Sequence, residues 1–519
     1  MKNKSRRKLT TILGLIPLLV LLFGIVGGVT YALMNGTKAN TKHGFQVNVR
    51  GAVNVSANIV GKSYQNNTLK ETLDIVSFDG TQEQELSKVQ DFANKLSIDT
   101  KEDKVSYVFE ITNTTAEEKY TDLIIEPTYT LTEADNVIST MYYAIPNSDY
   151  EVCTDKYLVA HKGNTILVKI EIGVTEIGAK ADLEGSFELN LYTEDGLPVD
   201  FEYDKTYSVV DGKAYVTETC PTCGATHREN VAMEEGTYAI ATPTTAQAVL
   251  DSDINGKVVI FSEDIYSGVN FNASTDSIES RKNVVFAGAG DVVFNGKFRL
   301  VDTTDSLFEN IAIQDIKFVG KDGLVSASMY STSIHGLTVK NCSFITTETC
   351  TKAEAYGALF VSCESRDVYN IRFENNYVEG HFHGVKTHGV EDIYVYNNEI
   401  KNTVHNAIGI QNLSTSGVTY KSSGDLFIKN NKIYNDADFN NEDTRERAIR
   451  INGAEDMTIV IEANEFTNFV SIKDGDELLK ISDIVSVGIE SSYSIVNNTY
   501  AGMDLNNIKG ETFPLIIVV

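Results

Sequence analysis

The chain has 519 residues, and 44 basic against 72 acidic side chains leave a formal net charge of −28, which excludes a scaffold that grips nucleic-acid phosphates across its surface. With 42% hydrophobic and 22% charged residues the composition is that of a globular chain, so wholesale disorder is excluded and the length allows two to four domains of about 150 residues. Seven prolines, no tryptophan and 48 Tyr plus Phe, among many Val, Ile, Thr and Asn, predict an all-β protein.

Lys2, Lys4, Arg6, Arg7 and Lys8 lie in a basic segment, 1–11, ahead of an uncharged stretch over 12–34. At about 1.5 Å rise per residue that stretch crosses roughly the 30 Å hydrocarbon core of a bilayer. It is too long and too uniformly apolar for a buried core helix, and it predicts a transmembrane anchor or a signal segment. The cations hold segment 1–11 in the cytoplasm, so the rest of the chain is expected on the extracellular side, tethered to the membrane or secreted. Six cysteines in so long an exported chain do not make a disulfide framework, and the fold must stand on its core.

Between 40 and 200, runs such as Val105–Asn113 and Thr165–Val174 alternate apolar and polar residues, the period of half-buried strands. Several such strands joined by polar loops predict a β-sandwich. The leader followed by these strands resembles the exported β-sandwich proteins of the camelysin and biofilm-fibre family. The likeness covers about 150 residues and departs in the leader, where Leu33 and Met34 follow Tyr31-Ala32.

Residues 201–235 read as a connector with one local feature, Cys220-Pro-Thr-Cys223 followed by His227. This spacing offers three soft ligands to one zinc ion, with a local disulfide or a pair of thiols as the alternative. No βαβ pattern surrounds the motif, so a thioredoxin-like role is not expected.

From 236 to 519 one pattern recurs. Leu337-Thr-Val-Lys-Asn-Cys-Ser-Phe344, Ile371-Arg-Phe-Glu-Asn-Asn-Tyr-Val378, Ile393-Tyr-Val-Tyr-Asn-Asn-Glu-Ile400 and Leu426-Phe-Ile-Lys-Asn-Asn-Lys-Ile433 follow one another, and the register continues from Ile311 to Tyr500 at spacings of 22 to 34 residues. One copy cannot bury its apolar face. Coaxial stacking does so, because each strand then pairs in parallel with the next coil about 4.8 Å away. Asn341, Asn375, Asn397 and Asn430 are expected in one file at the bend, as structural residues whose amides satisfy one another and the corner's backbone. A second series, containing Ala358 to Ser362, Gly384 to His388, Ala407 to Gln411, Ala448 to Asn452 and Ser486 to Glu490, follows most corners. These motifs resemble the right-handed parallel β-helix of pectate-lyase-like proteins, and the resemblance implies eight or nine coils opened by a capping helix near 244–251. A leucine-rich-repeat horseshoe fits less well, because the spacing is irregular and no helical period separates the strands.

On the second series Val385, Ile408 and Ile449 are expected inward. Lys386 and Arg450, with His388, Gln411, Asn452 and Glu490, are expected outward. Cations there suit uronate carboxylates, and the neutral polar groups suit sugar hydroxyls. The expected partner is thus a polysaccharide or cell-surface glycan bound by a surface or adhesive protein. The pectate-lyase resemblance implies an alternative, a polysaccharide lyase with Arg450 as base and Lys386 or calcium neutralising the carboxylate. The outward row lacks the aspartates that calcium would need, and Asp392 and Asp425 stand where turn capping explains them. Glycoside hydrolysis requires paired carboxylates, which the row also lacks apart from Glu490. His381, His383 and His405 lie close to this patch in sequence, and His381, His383 and His388 fall at alternate strand positions compatible with a metal, without a carboxylate partner.

Overall fold

Alternation leaves each N-terminal strand with one apolar face, and the computed structural model closes those faces against one another. It describes residues 39–50, 56–78, 86–94, 96–98, 102–115, 122–131, 137–153, 156–174, 182–192, 201–263, 266, 269–271, 281–300, 307–321, 324–327, 333–346, 350, 356–363, 367–415, 418–436, 439, 447–452, 454–468, 479–482, 492–496 and 498–501. The basic segment 1–11, the predicted membrane segment 12–34 and Glu490 lie outside the described residues. Among the described residues no helix is long and apolar enough to cross a membrane. The chain divides into a first unit that runs to Glu202 and includes Pro221–Gly224, and a second made of Tyr203–Cys220 and Ala225–Val519.

In the first unit one sheet orders Leu158–Ala160, Leu123–Leu131, Asp182–Tyr192, Ala39–Arg50 and Leu86–Asp91, with Leu96–Ile98 also paired to Ala39–Arg50. The other orders Thr68–Phe78, Ala57–Gln65, Val105–Asn113, Thr165–Val174, Val137–Ala144 and Glu151–Val152. Ile59, Phe109, Val168 and Ile170 of this second sheet share a core with Leu123, Ile125, Leu189 and Leu191 of the first. Phe109 stacks on Phe187 across that core at a ring separation of 4.0 Å.

The second unit begins with residues the sequence marked as a connector. They form an antiparallel sheet of Asp204–Val210, Lys213–Thr219 and Thr226–Ala232. Tyr207 and Ala214 bury against Ile260 and Ala287, and Lys340 Nζ meets Asp204 Oδ1 at 3.0 Å. The last strand carries mostly exposed side chains, so it has little alternation to announce it.

Beyond it the chain winds into a coil of three parallel sheets. The first sheet runs over ten strands from Tyr238–Ala241 to Ser492–Val496 among the described residues, the second over eight from Val293–Asn295 to Thr499–Ala501, and the third over eight from Val269–Phe271 to Leu479–Ser482. Each turn visits them in that order, as in Val368–Glu374, Tyr377–Glu379 and His383–His388. The helix Ala246–Leu250 stands where a cap is expected and buries Ala246 and Leu250, but Tyr238–Ala241 already pairs with Val258–Phe261, so the coil starts one strand earlier than the sequence suggests. Phe294, Phe318, Phe344, Val378, Ile400, Ile433 and Phe466 form one fully buried file on the second sheet.

The corner between first and second sheets uses its two residues differently. Asn341, Asn375, Asn397 and Asn430 do stack in register, and each takes a left-handed backbone (φ 54°, 55°, 54° and 57°) that Asn tolerates better than most side chains. The amide ladder is built instead by the next residue: Asn376, Asn398, Asn431, Asn464 and Asn498, none more than 7% exposed. Asn398 Nδ2 donates to Phe373 O at 2.8 Å and to Asn431 Oδ1 at 2.9 Å, while its Oδ1 accepts from Asn376 N at 2.9 Å and Asn376 Nδ2 at 3.1 Å. The left-handed residue reverses the chain, and the reversal turns its successor's side chain into the coil. Cys342 occupies the ladder position of its own turn and receives only the end of the file, donating its N–H to Asn376 Oδ1 at 2.9 Å.

Candidate functional site

The third sheet carries the outward row that the sequence predicts. Strand His383–His388 pairs with Asn406–Gln411, then with Arg447–Asn452, then with Leu479–Ser482. Alternation turns Val385, Ile408, Ile410, Ile449 and Ile451 inward, at most 1% exposed. The intervening positions form two files, Phe360, Lys386, Gly409, Arg450, Lys480 and Ser362, His388, Gln411, Asn452, Ser482. The strand beside Arg447–Asn452 is thus Leu479–Ser482, where the sequence reading set Ser486 to Glu490, and Ser482 stands in register with Asn452. Loop length between turns, which varies along this coil, decided the difference.

Lys386 and Arg450 stand two strands apart, about 9.6 Å at a rung spacing near 4.8 Å. Gly409 lies between them and leaves the sheet without a side chain at that point. Lys386 Nζ sits 5.8 Å from the ring centre of Tyr356 and 6.0 Å from that of Phe360, and the two rings lie 4.5 Å apart. Tyr356 is 40% exposed and Phe360 3%, so of this pair the Tyr356 ring reaches solvent beside the cation. No strand pattern marks Tyr356, because it precedes its strand. Burial, and next the neighbouring Lys386, hold His388 down to about 4, and the ring bonds Gln411. His388 is thus a neutral hydrogen-bonding group at ordinary pH.

The neighbouring histidines are not part of this face. His381 is 0% and His383 2% exposed, and burial is the main reason both titrate below the usual imidazole range, His381 near 4. His383 Nδ1 contacts Asn406 O at 3.2 Å, and His405 stacks on Phe382 at 5.1 Å. These rings pack under the loops, and no metal-ligating group forms from them among the described residues. Asp392 Oδ1 accepts the Asp425 N–H of the next coil at 2.8 Å, a bond between coils rather than the turn cap expected.

Soft donors converge elsewhere. Ala160 pairs with Leu123, so the residues flanking that pair, His161 and Asp122, fall side by side, and His161 Nδ1 meets Asp122 Oδ1 at 2.8 Å. The Val159 N–H donates to Thr222 Oγ1 at 2.9 Å, which holds Pro221–Gly224 on this strand, and His161 Nε2 lies 3.1 Å from Cys223 Sγ. At the base of the same loop the Cys220 N–H donates to Ala225 O at 2.8 Å. His227, the third ligand expected from spacing, is not in this group. It sits on Thr226–Ala232 with its ring stacked on Tyr203 at 4.0 Å.

No family model, no curated protein and no solved structure matches this chain.

Proposed function

We propose that the third sheet of the coil is a binding face for an acidic polysaccharide, on a protein displayed at the extracellular side of the membrane or secreted. The fold is read as a β-sandwich followed by a right-handed parallel β-helix of the pectate-lyase-like kind, and the leader over 12–34 as its anchor or signal. The observation that carries the reading is the in-register file Lys386, Gly409, Arg450 beside the Tyr356–Phe360 ring pair. On a chain with a net charge of −28, a cationic file flanked by neutral His388, Gln411 and Asn452 suits an extended chain of sugars that carry carboxylates.

Binding is favoured over elimination. A lyase needs its base and its carboxylate-neutralising group at one sugar, whereas cations two strands apart suit separate carboxylates along the polymer. The test is calorimetric binding of the full chain to acidic and neutral polysaccharides, with ultraviolet absorbance followed for an unsaturated uronate, with and without calcium. Binding of acidic polymers that weakens about tenfold in Lys386→Ala and in Arg450→Ala, as loss of one charge-assisted bond implies, supports the reading. Affinity unchanged in both variants, or no binding, overturns it. Unsaturated product that disappears in Arg450→Ala replaces it with the lyase.

A further inference from the structure

We infer that Cys223, His161 and Asp122 form a nucleophilic thiol site that takes an acyl group from an ester or thioester, independently of any polysaccharide. All three belong to the first unit, which holds the residues up to Glu202 together with Pro221–Gly224. Of the six cysteines, all among the described residues, Cys223 alone is exposed. His161 Nε2 lies 3.1 Å from its Sγ, and His161 Nδ1 lies 2.8 Å from Asp122 Oδ1. A nucleophile, a base and a third group that orients the base, each within hydrogen-bond reach of the next, is the arrangement that activates a thiol on unrelated folds.

The first unit builds this order from its own strands. Ala160 pairs with Leu123, which sets His161 beside Asp122. The Thr222 hydroxyl, in a residue 7% exposed, accepts the Val159 N–H at 2.9 Å and seats the thiol's loop two residues from His161. Asp122 is 6% exposed, and an ionised carboxylate only accepts, so Nδ1 carries the proton and the Nε2 lone pair faces Sγ. An imidazole held this way is set to take a proton from the thiol. No described atom lies within 4 Å of the place that a Cβ on Gly224 would occupy, which leaves the loop open beside Cys223. In the reaction Sγ attacks the carbonyl carbon while Nε2 takes the thiol proton. The bond from that carbon to the leaving oxygen or sulfur breaks, and Nε2 passes the proton to the leaving group. The products are an acyl thioester on Cys223 and a free alcohol or thiol; water then cleaves the thioester to a carboxylic acid and restores the thiol. Cys223 and His161 are the catalytic residues, and Asp122 is a positioning residue.

The test uses the full chain, reduced, freed of reductant and kept in chelator, with phenyl acetate as the probe. The wild-type chain is expected to release phenol and to gain one acetyl group, placed on Cys223 by peptide mass mapping; Cys223→Ser is expected to do neither. An unassisted cysteine is only a few per cent thiolate at pH 7, so removing its proton gains at most about 30-fold, and His161→Gln and Asp122→Asn are expected to slow acetylation about tenfold. At about pH 9.5, where a cysteine ionises unaided, the three rates are expected to converge, which a merely structural loss would not produce. His227→Ala is expected to leave the rate unchanged. If a variant does not fold by circular dichroism, the wild-type pH profile decides: a rise clearly shallower than about tenfold per unit between about pH 6 and 8 supports the base, and the full tenfold rise of a free cysteine overturns it. A wild-type chain that is not acetylated at Cys223, or is acetylated there no faster than folded His161→Gln, also overturns the site.

Discussion

The corner of the coil sets two adjacent asparagines against each other, and replacing each by alanine separates their roles. Asn398→Ala removes four hydrogen bonds at once: two donated by Nδ2, to Phe373 O and Asn431 Oδ1, and two accepted by Oδ1 from Asn376. At about 1 kcal/mol net for each bond, in a position only 1% exposed where water cannot replace the lost partners, the cost is about 4 kcal/mol. Asn397→Ala leaves the ladder intact. It asks alanine to hold a φ of 54°, where Asn is better tolerated, at a cost of about 1 kcal/mol. Urea unfolding of the full chain, followed by tyrosine fluorescence and far-ultraviolet circular dichroism, is expected to show the Asn398 variant losing about 3 kcal/mol more than its neighbour. Coil repeats are stabilised chiefly by their neighbours, so the loss is expected to separate an early transition from the main one. Equal costs at both positions, or a cost below about 1 kcal/mol at Asn398, would refute the ladder as the corner's source of stability.

The same corner contains Ala463, held at φ 54° in the file of asparagines, and Ala463→Gly is expected to raise the coil's stability by up to about 1 kcal/mol, read as a higher urea midpoint. Burial holds His381 near 4 against an ordinary value of 6.5, so the unfolded chain binds the extra proton first. The stability this histidine provides is complete above about pH 6.5 and is lost as pH falls towards 4, by about 3 kcal/mol in all; urea midpoints at pH 7, 5.5 and 4 should fall less steeply in His381→Gln, and identical slopes would count against the assignment. Gly357 has φ +86°, and a Cβ there would stand 2.4 Å from His383 O, the acceptor of the Ala358 N–H, so Gly357→Ala should cost about 2–3 kcal/mol or more and lower the melting temperature. At Gly409 the nearest heavy atom to a Cβ is 3.6 Å away, an ordinary contact, so Gly409→Ala should leave the melting temperature unchanged, and a clear fall would show that the sheet is packed more tightly there.

Period-two alternation, the recurring Asn-containing corner and the placement of the opening helix are local properties, and each is legible in a few neighbouring residues. They determined that the chain is built of strands, that its C-terminal part coils in parallel, and that Lys386, His388, Arg450 and Asn452 face outward. Tertiary structure decided what depends on registers between distant segments. It put Asn398 rather than Asn397 inside, because a left-handed residue rotates its successor inward. It buried His381 and His383 beneath loops, although their spacing matches that of exposed strand residues. It made Leu479–Ser482 the strand beside Arg447–Asn452. It also brought His161 to Cys223 across 62 residues of sequence, where spacing had nominated His227. A strand's own pattern fixes which faces are apolar, but only the pairing of Leu123–Leu131 with Leu158–Ala160 could place Asp122 behind His161 and turn that ring towards a thiol.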